Sequence, residues 1–335
     1  MRVLLSLLFM LLPSAAYADA AIGYGAAAVG GTTPCVVSTL GDNVAVPPTG
    51  SLRECLAAPG NLITFSVTGT ITLRDTMDVP SNTYIDGGDQ IILLAGPFDT
   101  FQMMGDNTNI VIRNLSFKHK YSAGSKCLSP AKPTDTEGCG SPIAMRDAGA
   151  HDIWIDNDRF YGCGAKCIYV WNAATDVTVS ESNFRGPGMY GMLIGGGSGV
   201  PGLGNMRVTM YRNYFTGMLR RNPKVTALAH LHFFNNVVEN WGPDKASDFG
   251  TGSSGAGQLL AENNIFIRGS RSSLSGLSVR EGSHINDALG YLKAVGNRMM
   301  NGARGASNNP GAVFTPAYEY TLSVTSDTLL ADVRR

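Results

Sequence analysis

The chain carries little charge for its length. Charged residues make up 16% of the 335 residues, and 26 basic side chains balance 26 acidic ones. This balance lacks the basic excess of a nucleic-acid-binding surface and argues against such a partner. Beyond the N-terminus no apolar run is long enough to be a candidate transmembrane helix. Low charge combined with 41 glycines and many Asn, Val and Ile residues favours an all-β protein.

Several short motifs are also missing. The six cysteines never occur with two-residue spacing, and no histidines cluster near them, which disfavours zinc. The glycine-rich run at 23–31 precedes no βαβ unit, so a nucleotide-binding loop is disfavoured. No pair of aspartates lies in a suitable loop, which ranks a hydrolase such as a polygalacturonase below other functions.

The N-terminus has the pattern of a secretory signal. Arg2 is followed by an apolar stretch at 4–12 and by the A-x-A pattern Ala16-Tyr17-Ala18, so we expect cleavage after Ala18. The mature chain, 19–335, is then one extracellular domain, which we expect to be a monomer with no membrane association. An even number of cysteines in a secreted chain suggests disulfides. Nearest-neighbour pairing gives Cys35–Cys55, Cys127–Cys139 and Cys163–Cys167.

A repeat begins near residue 80. Each unit is an alternating strand, a turn residue two positions after the strand's last apolar residue, and a large apolar residue three positions later. Coils of about twenty-odd residues with loop insertions explain the spacing and indicate a β-solenoid. The strand end, turn residue and closing apolar residue of the seven units are Ile112, Asn114 and Phe117; Ile155, Asn157 and Phe160; Val179, Glu181 and Phe184; Met210, Arg212 and Phe215; Phe233, Asn235 and Val238; Ala261, Asn263 and Phe266; and Val295, Asn297 and Met300.

The most informative stretch is a basic loop between two of these strands. Arg220, Arg221 and Lys224 surround Pro223, which fixes its own φ and makes the loop rigid. A rigid basic loop at a strand end predicts a binding site for an anion.

Five motifs together resemble the pectate lyases of the first family of polysaccharide lyases. They are G-Y-G-A with G-G at 23–31, G-S-L-R-E at 50–54, the strand I-T-F-S-V-T-G-T-I at 63–71, R-N-P at 221–223 followed by His232 and N-N at 235–236, and P-A-Y-E-Y at 316–320. The resemblance covers nearly all of the mature chain. It implies a right-handed, single-stranded parallel β-helix with the pectin lyase-like solenoid fold, in which a short helix at 50–56 caps the N-terminal end.

The resemblance also implies an activity, the cleavage of pectate or related uronans by β-elimination. Arg221 matches the catalytic base of the family. Because a guanidinium is normally always protonated, an arginine base requires a cationic, desolvated pocket. Arg220, Lys224, Lys166 and Arg146 are the candidate binding residues for the acidic polysaccharide. The family uses calcium to bridge substrate carboxylates to acidic side chains of the enzyme.

Other positions depart from the family pattern. The calcium ligands fall on Ile143, Ala165 and Tyr169, and calcium needs oxygen ligands, typically carboxylates. The positions of two cationic residues that bind substrate in the family are occupied here by Tyr190 and Thr226, and Asn157 occupies the position of a family histidine.

Two explanations remain open. In the first, Lys166 supplies the missing positive charge without calcium, as an arginine does in pectin lyases. In the second, the protein is a catalytically weak or inactive β-helix that binds acidic glycans.

Overall fold

The computed structural model describes residues 20–119, 140–147, 149–197, 202–242, 249–279 and 289–334. Within these ranges the chain forms 24 strands, and the strands pair in parallel with those of neighbouring coils. The predicted all-β parallel β-helix is therefore confirmed. No helix in these ranges is long and apolar enough to cross a membrane.

The strands form three ladders that run the length of the solenoid. The first contains β1 (Thr33–Val37), β2 (Asn61–Phe65), the first parts of β5 (Thr83–Ala95) and β7 (Thr108–His119), β9 (His151–Asp156), β12 (Val177–Ser180), β14 (Arg207–Tyr211), β17 (His230–Phe234), β20 (Gln258–Glu262) and β23 (Tyr291–Val295). The second contains β3 (Gly69–Thr72), the later parts of β5 and β7, β10 (Arg159–Tyr161), the first part of β13 (Asn183–Gly195), β15 (Tyr214–Arg220), β18 (Val237–Glu239), β21 (Ile265–Ile267) and β24 (Arg298–Met300). The third contains β4 (Met77–Asp78), β6 (Phe101–Met103), β8 (Ile143–Met145), β11 (Lys166–Trp171), the last part of β13, β16 (Lys224–Val225), β19 (Thr251–Ser253) and β22 (Leu277–Val279).

Inward-facing side chains form a continuous core. The predicted closing residues Phe117, Phe160, Phe184 and Phe215 stack on one another, with ring centroids 5.1, 4.7 and 4.3 Å apart. All four are fully buried. Offset aromatic stacks of this kind add to the free energy gained from burying apolar area.

The turn residues of the repeat adopt the left-handed conformation. In the first six predicted units φ lies between 49° and 57°, at Asn114, Asn157, Glu181, Arg212, Asn235 and Asn263. Asparagine tolerates this region better than most residues, which explains why it recurs at this turn.

The predicted last unit is wrong by one residue. Ala261 pairs with Ala294 and Phe266 with Met299, so the left-handed turn residue is Gly296, with φ of 64°. Asn297 instead belongs to a second row of asparagines inside the solenoid, where each side-chain amide nitrogen donates to the next side-chain oxygen at 2.9–3.0 Å. Its members are Asn213, Asn236, Asn264 and Asn297.

In the part of the chain that the structure describes, two short α-helices flank the ladders. α1 (Leu52–Cys55) is capped by the Ser51 hydroxyl, which accepts from Glu54 N–H, and buries Leu52 in the core. The helix lies within the predicted segment, and its role as a cap stays a prediction. α2 (Asp327–Val333) packs Leu329 and Val333 beside strands of the second ladder. The described ranges also contain 3-10 helices at Tyr24–Ala27, Leu203–Asn205 and Pro310–Ala312.

Two of the three predicted disulfides are present. Cys35–Cys55 ties β1 to α1, and Cys163–Cys167 closes a tight turn before β11. The third predicted pair, Cys127–Cys139, lies outside the described residues, as does the predicted signal peptide at 1–18.

Candidate functional site

Three of the predicted site residues lie at one break between two strands. β15 ends at Arg220, the chain turns at Arg221 with φ of 60°, and β16 begins at Lys224. The Asn222–Pro223 peptide bond in this turn is cis. The strand ends and the turn thus place three cationic residues within five positions of the chain.

Hydrogen bonds from both neighbouring coils fix this break. The Arg221 carbonyl accepts from Met192 N–H at 2.9 Å, and Asn222 N–H donates to the Gly250 carbonyl at 2.8 Å. The Asn222 side chain is buried. The backbone that carries the three cations is therefore part of the sheet structure and not a free loop.

The Tyr190 ring is the point at which most of the cations meet. In the sheet register Tyr190 lies between Lys166 and Arg220. The Arg221 guanidinium carbon lies 4.0 Å from the ring centroid, that of Arg220 5.3 Å, and the Lys166 ammonium 6.0 Å. Arg220 also donates a hydrogen bond to the Tyr190 hydroxyl at 3.1 Å. Cations at these distances are attracted by the quadrupole of the ring.

Tyr169 provides a second aromatic contact one coil away. The Lys166 ammonium lies 4.9 Å and the Arg146 guanidinium carbon 5.2 Å from its ring centroid. Trp171, two residues along the same strand, stacks on Tyr169 with centroids 5.0 Å apart. Arg146 is also paired with the carboxylate of Asp99 at 2.6 Å.

The structure therefore brings together all five predicted site residues. Arg146 and Lys166 both contact the Tyr169 ring. Lys166, Arg220 and Arg221 contact the Tyr190 ring. The charges of Arg220 and Arg221 act on Lys224. We call these five residues the basic cluster.

Lys224 is the cation most affected by its surroundings. Burial, followed by the positive charges of Arg221 and Arg220, lowers the pKa of the Lys224 ammonium to about 8. Lysine responds in this way because its compact charge is costly to desolvate. Lys224 therefore has a substantial neutral fraction at mildly alkaline pH.

The positions that correspond to the calcium ligands do not fit calcium. Ile143 is fully buried in the core, and the residue beside Tyr169 in the register is Ala144. Ala165 is also buried. None of these side chains offers a carboxylate, and the charges around Tyr169 are cationic. In the described part of the chain no group of three or more acidic, histidine or cysteine side chains is arranged to hold a metal.

Two further departures from the family pattern have structural roles. Thr226 is buried and accepts a hydrogen bond from the Ser254 hydroxyl at 3.1 Å. Asn157 donates to the Asn114 side chain at 2.7 Å and belongs to the turn stack. Neither residue contributes a charge to the basic cluster.

Two aspartates at the end of β9, Asp156 and Asp158, are engaged in structural contacts. Asp156 accepts from the Ser180 hydroxyl at 2.6 Å and pairs with Arg113 at 2.9 Å. Asp158 is fully buried, accepts from Leu115 N–H at 2.8 Å, and has its pKa raised by desolvation.

His232, from the R-N-P…H…N-N motif, lies in a different place from Arg221. It occupies the outer side of the first ladder, where its Nδ1 lies 2.6 Å from the Tyr318 hydroxyl and its Nε2 3.0 Å from Glu262 Oε2. The Tyr320 hydroxyl donates to the same carboxylate oxygen at 2.7 Å. This network attaches the C-terminal segment to the sheet, so the closing motif at 316–320 is structural.

Sequence reasoning missed the contribution of Tyr169 and Tyr190, which it treated only as positions where charged residues were lost. The position of the two tyrosines in the sequence, close to predicted cationic residues, could have indicated this contribution. Each tyrosine lies on a strand adjacent to a predicted cationic residue, where an aromatic side chain can pack against a cation.

Comparison with known proteins assigns the family. The family model described as "Pectate lyase" matches residues 8–285. The chain belongs to the pectate lyase family. A relative from Arabidopsis thaliana named as pectate lyase 2 is 31% identical over 261 residues, which cover 75% of this chain and 65% of the relative.

Solved structures agree with the fold. Jun a 1, the major allergen from cedar pollen, superimposes with a TM-score of 0.74 at 20% identity, covering 94% of this chain and 91% of that one. Pectate lyase Bsp165PelA from Bacillus sp. N165, solved in complex with trigalacturonate, gives a TM-score of 0.60 at 19% identity, covering 93% and 97%. The chain thus combines the fold of these structures with the basic cluster around Tyr169 and Tyr190.

Proposed function

We propose that the protein is a secreted polysaccharide lyase that cleaves acidic uronan chains, such as polygalacturonan or its methyl esters, by β-elimination. The observation that carries the proposal is the basic cluster itself. Cationic side chains from distant parts of the chain converge on Tyr169 and Tyr190 in a member of the pectate lyase family. A cluster of this kind suits a substrate with a carboxylate on each sugar.

The reaction needs a base and a means of stabilising negative charge. The base removes the C5 proton, which lies α to the carboxyl group, and the glycosidic oxygen leaves from C4. Because this proton is only weakly acidic, charge that develops on the carboxylate must be stabilised by fixed cations or strong donors. In this proposal Arg221 stands at the family's base position and contacts the reacting sugar.

The remaining cations are assigned to substrate binding. Lys166, held between two tyrosine rings, is placed to neutralise the substrate carboxylate, with Arg146, Arg220 and Lys224 beside it. The described residues at this site supply no calcium cage, so no step of the proposal passes through calcium. The proposed site therefore neutralises the substrate carboxylate with a protein cation, as pectin lyases do, within the fold of a pectate lyase.

Export is a further part of the proposal. It rests on the predicted signal peptide at 1–18 and on the disulfides, which are typical of oxidising compartments. We expect the mature N-terminus to begin after Ala18 and the protein to be monomeric. N-terminal sequencing and light scattering of protein recovered from a secreting host test both points.

The test measures the unsaturated product by its ultraviolet absorbance. Purified protein is incubated with polygalacturonate or with methyl-esterified pectin, each in the presence of calcium or of a chelator, beside Arg221→Ala. The matched control is Arg159→Ala, which removes an arginine from the second ladder. We expect product from the wild type and the control, none from Arg221→Ala, and no loss in chelator.

Two results contradict the proposal in different ways. Binding of the polysaccharide without product under any condition supports the alternative, an inactive glycan-binding β-helix. Activity that the chelator abolishes supports a lyase but contradicts charge neutralisation by the basic cluster.

A further inference from the structure

We propose that the Cys163–Cys167 disulfide is a positioning element for Lys166, which it holds where the ammonium can neutralise a carboxylate of the uronan chain. This role rests on the proposed lyase function. Both cysteines are fully buried in the core, so they act on the substrate only through the lysine between them.

The disulfide encloses Lys166 in a very small ring. Cys163 and Cys167 are four positions apart, and residues 164–166 lie between them. Cys163 lies in the break after β10, whereas Cys167 is the second residue of β11. The bond therefore joins the break to the strand across the position that carries the cation.

Strand pairing supports this end of β11 mainly from one side. Lys166 pairs with Tyr190 of β13, and the Tyr190 N–H donates to the Ala165 carbonyl at 3.2 Å. On the other side, among the described residues, β8 pairs with positions 168–170 of β11 and its pairing does not reach Lys166. The disulfide thus constrains the backbone of Lys166 where the sheet holds it to the next coil but not to the preceding one.

The side chain that this backbone carries lies between two rings of the basic cluster. The Lys166 ammonium is 4.9 Å from the centroid of Tyr169 and 6.0 Å from that of Tyr190. All three residues also have further partners, and Lys166 is only 8% exposed. Because lysine has a flexible four-carbon stem, each contact of its ammonium depends on where the backbone beneath it is fixed.

A disulfide that closes so short a loop should act on local order more than on overall stability. The stabilisation that a disulfide provides through the unfolded chain grows with the length of the loop it closes. Cys163 and Cys167 are separated by 4 positions, compared with 20 for Cys35 and Cys55. The two bonds should therefore have opposite effects, the short one on the binding of substrate and the long one on unfolding.

The decisive variant is Cys163→Ala with Cys167→Ala. The matched control is Cys35→Ala with Cys55→Ala, which removes the disulfide between β1 and α1. Each pair is also combined with Lys166→Met, which keeps an unbranched side chain but removes the ammonium. The dissociation constant for trigalacturonate, and KM and kcat for polygalacturonate, are measured for every protein. Circular dichroism and thermal unfolding verify that each variant is folded, and serine replaces alanine at both positions where the alanine version is not.

Without the Cys163–Cys167 bond, the substrate must order Lys166 when it binds. We expect KM and the dissociation constant to rise roughly 2- to 12-fold, the penalty for immobilising one flexible side chain, with a small change in kcat and in the thermal midpoint. The Cys35 and Cys55 control should lower the thermal midpoint more and leave KM unchanged. In the Lys166→Met background, loss of the Cys163–Cys167 bond should have no further effect on binding, because the bond acts through the missing ammonium.

Chemical labelling provides a readout that does not need activity. The proteins are treated with an amine-reactive acylating reagent, and the labelled peptides are quantified by mass spectrometry. Lys166 should react faster when the Cys163–Cys167 bond is absent than in the wild type. Lys118, an exposed lysine on the second ladder, should react at the same rate in both proteins.

The outcomes separate this role from the function on which it rests. An unchanged dissociation constant with unchanged labelling of Lys166 overturns the positioning role and leaves the lyase function standing. A loss of binding that persists in the Lys166→Met background also overturns it, because the bond then acts through another residue. If the wild type neither forms product nor binds trigalacturonate, the lyase function is wrong and the positioning role fails with it.

Discussion

Tyr190 offers the sharpest test of how the basic cluster is held together. Tyr190→Leu removes the ring that Arg220, Arg221 and Lys166 share, whereas Tyr190→Phe keeps the ring and removes only the hydroxyl. The two variants therefore separate the aromatic contacts from the hydrogen bond at a buried position.

The structure sets the expected size of each effect. Three cation–ring contacts at about 0.5–1 kcal/mol each total about 1.5–3 kcal/mol, or roughly 10- to 150-fold in binding of the acidic substrate. The hydrogen bond to Arg220 contributes about 0.5–1.5 kcal/mol, or roughly 2- to 12-fold. We expect both losses mainly in KM, because disordered cations hold the ground-state carboxylates less well.

The assay compares KM for polygalacturonate and the dissociation constant for trigalacturonate across the two variants. Tyr214→Leu is the matched control, since Tyr214 is a buried tyrosine of the second ladder with Arg185 5.8 Å from its ring centroid. It should lower stability without changing KM. If Tyr190→Leu binds the oligosaccharide as tightly as Tyr190→Phe does, the ring does not organise the cluster and the reasoning is refuted.

Three further predictions concern the framework. Asn236→Ala removes a side chain that makes five hydrogen bonds inside the solenoid, and it should lower the free energy of unfolding by about 3–5 kcal/mol in denaturant titrations. Acid should weaken the fold, because burial lowers the pKa of His232 and the pKa of Glu262 is lowered despite its own burial, by its hydrogen bond to His232. The His232 contribution is complete above pH 6.5 and is lost as pH falls below it, whereas the Glu262 contribution is complete above pH 4.5 and is lost as pH falls through its lowered pKa. The thermal midpoint should therefore drop in both ranges, and less steeply between pH 6.5 and 4.5 in His232→Gln. Replacing Cys35 and Cys55 together by serine should destabilise the protein by roughly 3 kcal/mol, since their bond closes a loop of 20 residues, and a calorimetric midpoint close to that of the wild type would contradict this.

The periodic part of the fold could be predicted because its constraints are local. A left-handed turn favours asparagine, and the position after it favours a large apolar residue, so Asn114 and Phe117 indicate a coil without knowledge of its neighbours. The rule failed at the last coil for the same local reason. Gly296 adopts the left-handed turn as readily as asparagine does. The prediction therefore selected the next residue, Asn297, and shifted the unit by one position.

The cationic residues could be selected from the sequence, but the contacts that the structure shows between them could not, and their functional role stays a prediction. The sequence comparison placed calcium-ligand positions on Ile143 and Tyr169, but the residue paired with Tyr169 across the coils is Ala144. Turns between coils vary in length, so spacing along the chain does not fix which outward-facing residues become neighbours. That is decided by the pairing of strands across coils, which also creates the contact between Tyr190 and Arg221.

The use of tyrosine in the basic cluster has a consequence for how the site can act. Cations at close range repel one another, and a carboxylate that relieves the repulsion, as Asp99 does beside Arg146, also weakens the field that attracts an acidic polysaccharide. An aromatic ring attracts a cation while carrying no net charge of its own. Tyr169 and Tyr190 therefore hold Lys166 and Arg221 in fixed positions without neutralising them. Burial and the charges of Arg221 and Arg220 together lower the pKa of Lys224 to about 8, so the positive charge of the cluster, and with it the attraction for uronan carboxylates, should decrease as the pH rises through 8.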